Sequence, residues 1–259
     1  MRTLLDIFPD SKPLTVVNVG APCMFNGGSG LTAMFNAGKL RYTGFETVFP
    51  EGEEPSPFVN RVPTVVGDGA QRAIYITNNI FCSSLYEPDF ELQDMFQNLS
   101  ALCEIKSKGR VNTERLDDLC ARLPKVDHLR VDVQGSEMDC FRGAERVLED
   151  VMLIKVKIGF VRMYKQQALW GDVDTFLRDR GFMFHCWEKP DGRCFKPIML
   201  QNEPYGHVRQ VLWTHAWYIR HIDHFDTLEA ERMVALAVLL NDLLASVDLA
   251  HKVLRVADA

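Results

Sequence analysis

Residues 15–46 read TVVNVGAPCMFNGGSGLTAMFNAGKLRYTGFE: an apolar run, a glycine-rich turn, a helix-like stretch, and a second apolar run closed by Glu46. Strand, turn, helix and strand in that order open a βαβ unit. Glycines in such a turn let a ligand approach the backbone, and the helix N-terminus behind them offers unpaired N–H groups. An acid at the end of the second strand can accept hydrogen bonds from both hydroxyls of a ribose. Together these features describe an adenosine site. Two features depart from the usual pattern: Asn18 stands where a nucleotide-binding turn usually carries an acid, and Pro22 to Phe25 form a bulky insert.

Outward from this unit, apolar runs recur at 61–66, 72–77, 126–133 and 151–158, after the first two at 14–19 and 40–45. Each is nearly continuous in hydrophobicity, as strands buried on both faces are, so the pattern predicts a parallel, doubly wound sheet. Ser136 with Asp139 three residues on resembles a capping box, and Met138, Phe141 and Leu148 follow at helical spacing, which predicts a helix over 137–150. A further helix is expected over 171–180, stopped by Gly181 and followed by strand-like FMFHCW. In the tail, Asp226 can cap a helix carrying Met233, Leu236, Leu240, Leu243 and Leu244, and a second short helix can start at Ser246 or Asp248.

The totals limit the function classes. The chain has 259 residues, a net charge of -6 and a pI near 5.7, which argues against a nucleic-acid surface built on clustered Lys and Arg. The N-terminal MRTLLDIFPDSK interrupts any signal-peptide core with an acid and a proline, and the longest apolar run, 234–240, is too short for a membrane span. Seven cysteines without a CxxC pair read as reduced thiols, so the expected location is cytoplasmic. His221 and His224 have ligand-like spacing, but without a carboxylate or thiol cluster beside them no metal is expected.

A dinucleotide is one candidate cofactor: Gly28 to Ala33 formally matches G-x-G-x-x-G/A, with Glu46 near the required ~20 residues downstream. That fingerprint should follow its strand directly, and here the strand ends near Gly20. The segment HLRVDVQGSEMDCFRGAERVLEDV, 128–151, says more. Asp132 falls at the carboxyl end of a buried strand, where ligands bind in open α/β sheets. Gly135 breaks that strand, and Glu137 opens the next helix, where the dipole favours a carboxylate.

With these residues in view, the chain resembles the FkbM-type S-adenosylmethionine-dependent methyltransferases. The resemblance is carried by LRVDVQGSEMDCFRGAERVL and FVRMYKQQALWGDVDTFLRDRGF, with SSLYEP at 83–88 and VNTERLDDL at 111–119 as further landmarks, and it extends over roughly 14–215. It implies a Rossmann-like doubly wound, mostly parallel seven-stranded sheet of the class I methyltransferase type with a C-terminal helical extension. The division it suggests is 1–222 for the α/β domain and 223–259 for helices packing on it or on a partner subunit, as in a homodimer.

The resemblance also implies S-adenosylmethionine as cofactor. With Pro22 to Phe25 treated as an insertion, Gly20, Ala21, Asn26 and Gly28 become the backbone cradle, Glu46 takes the ribose, and Asp68 lies near the adenine, unless it is simply a turn residue between glycines. Asn18 and Gln134 complete the cofactor set. Asn18 replaces the family's usual Asp, so an aspartate there is expected to tighten cofactor binding. Lys155 and Lys157 stand where acids are expected, a reversal of charge that, if the side chains face the site, either disfavours a cationic cofactor or selects an anionic substrate. Asp132 and Glu137 are the candidate bases for an aliphatic hydroxyl, unless Asp132 is structural and holds the turn that bears the cofactor. The implied reaction is O-methylation of a sugar, glycan or polyketide-like small molecule, with Phe81, Tyr86, Phe160, Tyr164 and Trp170 available for an acceptor pocket. The rival reading is a noncatalytic relative serving as an interaction module.

Overall fold

The computed structural model describes residues 3–23, 30–48 and 56–258. Among the described residues nine strands follow in chain order: β1 Leu14–Gly20, β2 Leu40–Glu46, β3 Val59–Pro63, β4 Gln71–Thr77, β5 Ile105–Asn112, β6 His128–Asp132, β7 Leu153–Gly159, β8 Phe182–Trp187 and β9 Trp213–Arg220. Seven of them form one sheet in the order β3-β2-β1-β6-β7-β9-β8. Pairing is parallel from β3 through β7 and antiparallel for β7 with β9 and for β9 with β8. This is the expected Rossmann-like, mostly parallel sheet.

The continuous apolar runs are buried on both faces. Val17, Val19, Leu129, Val131 and Val156 point into a layer shared with Phe141, Leu148 and Leu177. Their neighbours Leu14, Val16, Leu40 and Leu153 point the other way, into a layer closed by Met233, Leu236, Leu240 and Val253 of the tail helices Ala230–Val238 and Val247–Ala257 and the helical segment Leu239–Leu243 between them. The apolar stripe of the tail is thus spent on its own chain. Buried Arg220 donates to the carbonyls of Leu148 and Val151, both at 2.6 Å, and so clasps the end of the helix Glu145–Asp150.

Several elements differ from the sequence expectation. β4 lies outside the main sheet, paired antiparallel with β5, whose IKSKGRVN is mostly solvated and shows no apolar period to announce it. β9 was also unforeseen, and it inserts antiparallel between β7 and β8, ending the parallel rhythm. The helix expected over 137–150 is two helices, Glu137–Arg142 and Glu145–Asp150, broken at Gly143, where a Cβ would overlap the carbonyl of Gly67. Among the described residues, no helix is long and apolar enough to cross a membrane.

β1 pairs with β2 on one side and with β6 on the other, so the chain reverses its winding direction between β1 and β6. In open α/β sheets the crevice at that reversal is where ligands bind.

Candidate active site

The reversal is held by a glycine and a short bond. Gly20 has φ +93°, and a Cβ there would overlap the backbone carbonyl of Asp132 on the neighbouring strand. Directly after it, the Ala21 N–H donates to that carbonyl at 2.9 Å. Beyond this contact two cavities open side by side, of about 270 and 390 Å³, sharing Ala21, Phe81, Asp132 and Gln134 as walls. The smaller lies over the carboxyl ends of β1 to β3. The larger lies over β6 and β7 and is lined by Lys157, Tyr164, Gln167, Arg193 and Trp213. A cavity of about 570 Å³ lies at the amino ends of the strands, around Leu14, Thr15 and Asp127, away from the reversal. Position decides for the first two, because the strand carboxyl ends carry the crevice.

Asp132 stands on the common wall, half-buried and ringed by donors. Gln134 donates its side-chain amide to Oδ1 at 2.6 Å, Lys157 Nζ lies 3.6 Å from Oδ1, and His215 Nε2 lies 3.3 Å from Oδ2. Burial alone would push this carboxyl up, but Lys157, His215 and Arg130 outweigh it and hold it at about 2. The other imidazole nitrogen of His215, Nδ1, lies 3.3 Å from Glu188, which also pairs with Lys155. Burial opposes the charge on His215, yet its bonds to Asp132 and Glu188 raise it above the ordinary imidazole value. Glu188 is pushed up by burial and pulled down further by His215 and Lys155, to about 2.

Neither His215 nor Glu188 stood out in the sequence. Both sit on or beside the antiparallel pair β8–β9, and only the insertion of β9 next to β7 brings them to Asp132. Lys155 and Lys157 did stand out; they alternate on β7 so that both reach this network.

The turn after β6 explains the VQGSE sequence. Gln134 and Gly135 have φ of 57° and 105°, and the Glu137 carboxylate accepts from the Gly135 N–H at 3.0 and 3.1 Å and from Val133 N–H at 3.4 Å. Burial lifts the Glu137 carboxyl to about 7 in spite of these backbone bonds. Glu137 is buried and lines neither cavity, so the structure places this candidate base beneath the turn rather than at its face. Gln134 reaches over the face instead, accepting from Lys157 at 2.6 Å and donating to Asp132, while Ser84 donates to its backbone carbonyl at 2.6 Å.

The opening βαβ unit is built differently from its expected role. Asn18 is buried, and its amide donates to the Ala21 carbonyl at 3.0 Å and to Glu46 Oε1 at 2.9 Å. The Tyr42 hydroxyl also reaches Oε1, and Arg61 pairs with Oε2. Glu46 is fully buried among these partners and does not line the smaller cavity; its neighbours Phe45, Thr47 and Val48 do. A ribose at Glu46 would have to displace Arg61 or Tyr42. Asp68 lies outside both cavities, pairing with Arg72 and accepting from Ala70 N–H at 3.1 Å in a turn. Asn26 and Gly28 lie outside the described residues. Of the candidate acceptor aromatics, Phe81 and Tyr164 line the larger cavity, Phe160 and Trp170 pack edge to face at 6.2 Å, and Tyr86 donates to Asp139 at 2.9 Å.

The smaller cavity fits an adenosine-bearing group in kind. Val65, Val66, Ile74 and Ile76 provide apolar walls for a flat base, Thr47, Thr64 and Ser83 provide hydroxyls, and the backbone at Gly20 and Ala21 is bare of bulky side chains. β4, outside the main sheet, contributes two of those walls.

The model of the family described as Methyltransferase FkbM domain matches residues 33–184, so the match begins after β1 and leaves out Asn18 and the turn that follows its strand. No curated protein matches the chain. Among solved structures, magnesium protoporphyrin IX methyltransferase (ChlM) from Synechocystis PCC 6803, with bound SAM, is similar at 10% identity and a TM-score of 0.34, over 84% of this chain and 74% of that one. The family match covers more than half of the sequence, and the chain belongs to the FkbM methyltransferase family, with S-adenosylmethionine as its methyl donor.

Proposed function

We propose that this methyltransferase O-methylates a hydroxyl of a sugar, glycan or polyketide-like small molecule, with the donor in the smaller cavity, the acceptor in the larger, and Asp132 receiving the hydroxyl proton. The observation that carries the reading is the position of Asp132 on the wall common to both cavities. Bound S-adenosylmethionine supplies an electrophilic methyl group on a sulfonium. Positioning then does most of the work, since a nucleophile aligned with that methyl needs little else.

The residues at hand suit the remaining tasks. Ala21 and the Gln134 turn shape the passage between the cavities. Asp132, held at about 2, is ionised at all working pH values and is a weak base. A weak base is sufficient here, because a hydroxyl oxygen becomes strongly acidic as its new bond to carbon forms. His215, bonded to both Asp132 and Glu188, fixes the carboxylate's orientation and stabilises its charge. We take residues 223–259 as a helical extension whose apolar face serves the α/β domain of 1–222, a division supported by the contacts of Met233 and Leu236 with the layer under β1.

Calorimetric titration with S-adenosylmethionine and S-adenosylhomocysteine is the first test, with micromolar binding, on the order of -8 kcal/mol, expected. Asp132→Asn is then compared with the wild type for S-adenosylhomocysteine release on a panel of hydroxylated sugars. Cofactor affinity should be kept and turnover lost. Equal turnover in the variant refutes the role of Asp132.

A further inference from the structure

The larger cavity contains a guanidinium whose hydrogen-bonding edge is incomplete. Arg193 lines this cavity and is 9% exposed. Its Nη1 donates to the carbonyls of Gly192 at 2.6 Å and Tyr205 at 3.3 Å, and lies 3.4 Å from Asp191. The opposite, side-on edge is different. Among the described residues the buried Nε has no hydrogen-bond partner, and Nη2 donates to none either. Meanwhile the guanidinium carbon lies over two aromatic rings, 5.1 Å from the centroid of Tyr205 and 5.1 Å from that of Trp213.

A buried guanidinium that lacks partners on one edge carries a desolvation cost that a bound anion would relieve. The side-on pair of N–H groups matches the two oxygens of a carboxylate or a phosphoryl group. A second cation lies close by: Lys157 Nζ is 5.8 Å from the same Trp213 ring, and it also touches Asp132 and Gln134. The contacts therefore run in series from Asp132 through Lys157 and Trp213 to Arg193. Among the described residues lining this cavity Asp132 is the one acid, against the two cations Lys157 and Arg193, and Asp191 behind Arg193 faces only its Nη1.

We propose that the acceptor carries an anionic oxyacid group, a carboxylate or a phosphate or sulfate ester, which Arg193 grips side-on with help from Lys157 while the acceptor hydroxyl faces Asp132. This rests on the assignment of the larger cavity to the acceptor. It narrows the substrate class to hydroxylated acids, such as uronate-type sugars or sugar esters of phosphoric or sulfuric acid. It also gives Lys157 a purpose at the position where an acid was expected.

The test needs no knowledge of the acceptor. In ¹⁵N–¹H spectra of the full-length protein, the Arg193 Nε–H resonance, identified by its absence in Arg193→Lys, is followed while sodium acetate or inorganic phosphate is added, with sodium chloride as the ionic-strength control. The titrations are repeated with saturating S-adenosylhomocysteine. A saturable shift with acetate or phosphate, absent with chloride, persisting beside S-adenosylhomocysteine and about tenfold weaker in Lys157→Met, is expected. Stronger binding of acetate assigns a carboxylate acceptor; stronger binding of phosphate assigns an ester. No saturable shift, or the same shift with chloride, overturns the proposal, and so does loss of anion binding when S-adenosylhomocysteine is present, which would give Arg193 to the donor's own carboxylate. Calorimetry on the same samples separates the failures: S-adenosylhomocysteine binding without anion binding sinks this inference alone, and absence of both sinks the cavity assignment beneath it.

Discussion

Asn18 and Glu46, on the adjacent parallel strands β1 and β2, meet through their side chains, the amide of one donating to the carboxylate of the other at 2.9 Å. The same amide holds the Ala21 carbonyl at 3.0 Å, so one buried group ties the glycine turn to the second strand. The amide at this position is engaged on both sides by acceptors, an arrangement that a carboxylate would not reproduce.

The first prediction reverses the expectation drawn from sequence. In Asn18→Asp a second carboxylate would face Glu46 in a buried site, and both donors, to Glu46 and to Ala21, would be lost. The variant should lose about 3 kcal/mol of stability in urea unfolding and should bind S-adenosylmethionine less tightly. Tighter binding with unchanged stability would show that the turn can recruit an acid after all.

His215 gives a pH-dependent prediction. Its imidazole lies between Asp132 and Glu188 at 3.3 Å from each, and its pKa is raised above the ordinary 6.5 by bonds to both, against the opposing effect of burial. A raised folded value means that the stabilisation from this ion pair network is fully present below the unfolded pKa and is lost as pH rises through the folded one. An NMR titration of the His215 ring should therefore give a midpoint above 6.5, falling in Glu188→Gln. Thermal stability measured across the same range should decline on the alkaline side more in the wild type than in His215→Gln. An ordinary or lowered midpoint would remove the imidazolium from the site.

Glu137 should behave as a turn residue. Both its oxygens accept from the Gly135 N–H, and one also from Val133, so Glu137→Gln replaces an acceptor with a donor facing another donor. The expected cost is about 2 kcal/mol in urea unfolding, with weakened S-adenosylmethionine affinity because Gln134 and Asp132 ride on the same turn. A variant of unchanged stability and affinity that nevertheless failed in methyl transfer would return Glu137 to the chemistry.

What could be seen in advance divides along a physical line. Local pattern found β1, β2, β6 and β7, because a strand buried on both faces writes its burial as an unbroken apolar run, and it found Asp132, because a carboxylate after such a run marks the crevice. It could not find β5, whose residues face solvent, or the partners of Asp132. His215 and Glu188 lie 83 and 56 positions further along the chain, and the contact of His215 with Asp132, with Glu188 behind it, depends on β9 entering the sheet antiparallel. Glu46 shows the converse case. Its place at the end of β2 was read correctly from sequence, but side-chain direction is a tertiary property, and Tyr42, Arg61 and Asn18 claim the carboxylate.

Gly20 is where the fold and the site depend on a single missing atom. Its φ of +93° is disfavoured for any residue with a side chain, and a Cβ would overlap the Asp132 carbonyl that the Ala21 N–H must reach. Gly20→Ala is expected to cost more than the ~1 kcal/mol of an ordinary glycine replacement, because strain and overlap add, and β1 must separate from β6 at the Gly20–Asp132 pair. That separation would move Ala21 and Asp132, which wall both cavities, so S-adenosylmethionine affinity should fall together with the unfolding midpoint. Gly38→Ala is the control: it also has positive φ, but nothing lies within 4 Å of its would-be Cβ. Strain from positive φ falls on both variants, more at +93° than at +66°, while the overlap falls on Gly20→Ala alone. Only if the close approach of the strands shapes the site should Gly20→Ala lose cofactor affinity while Gly38→Ala keeps it, and calorimetric titration of both decides between these outcomes.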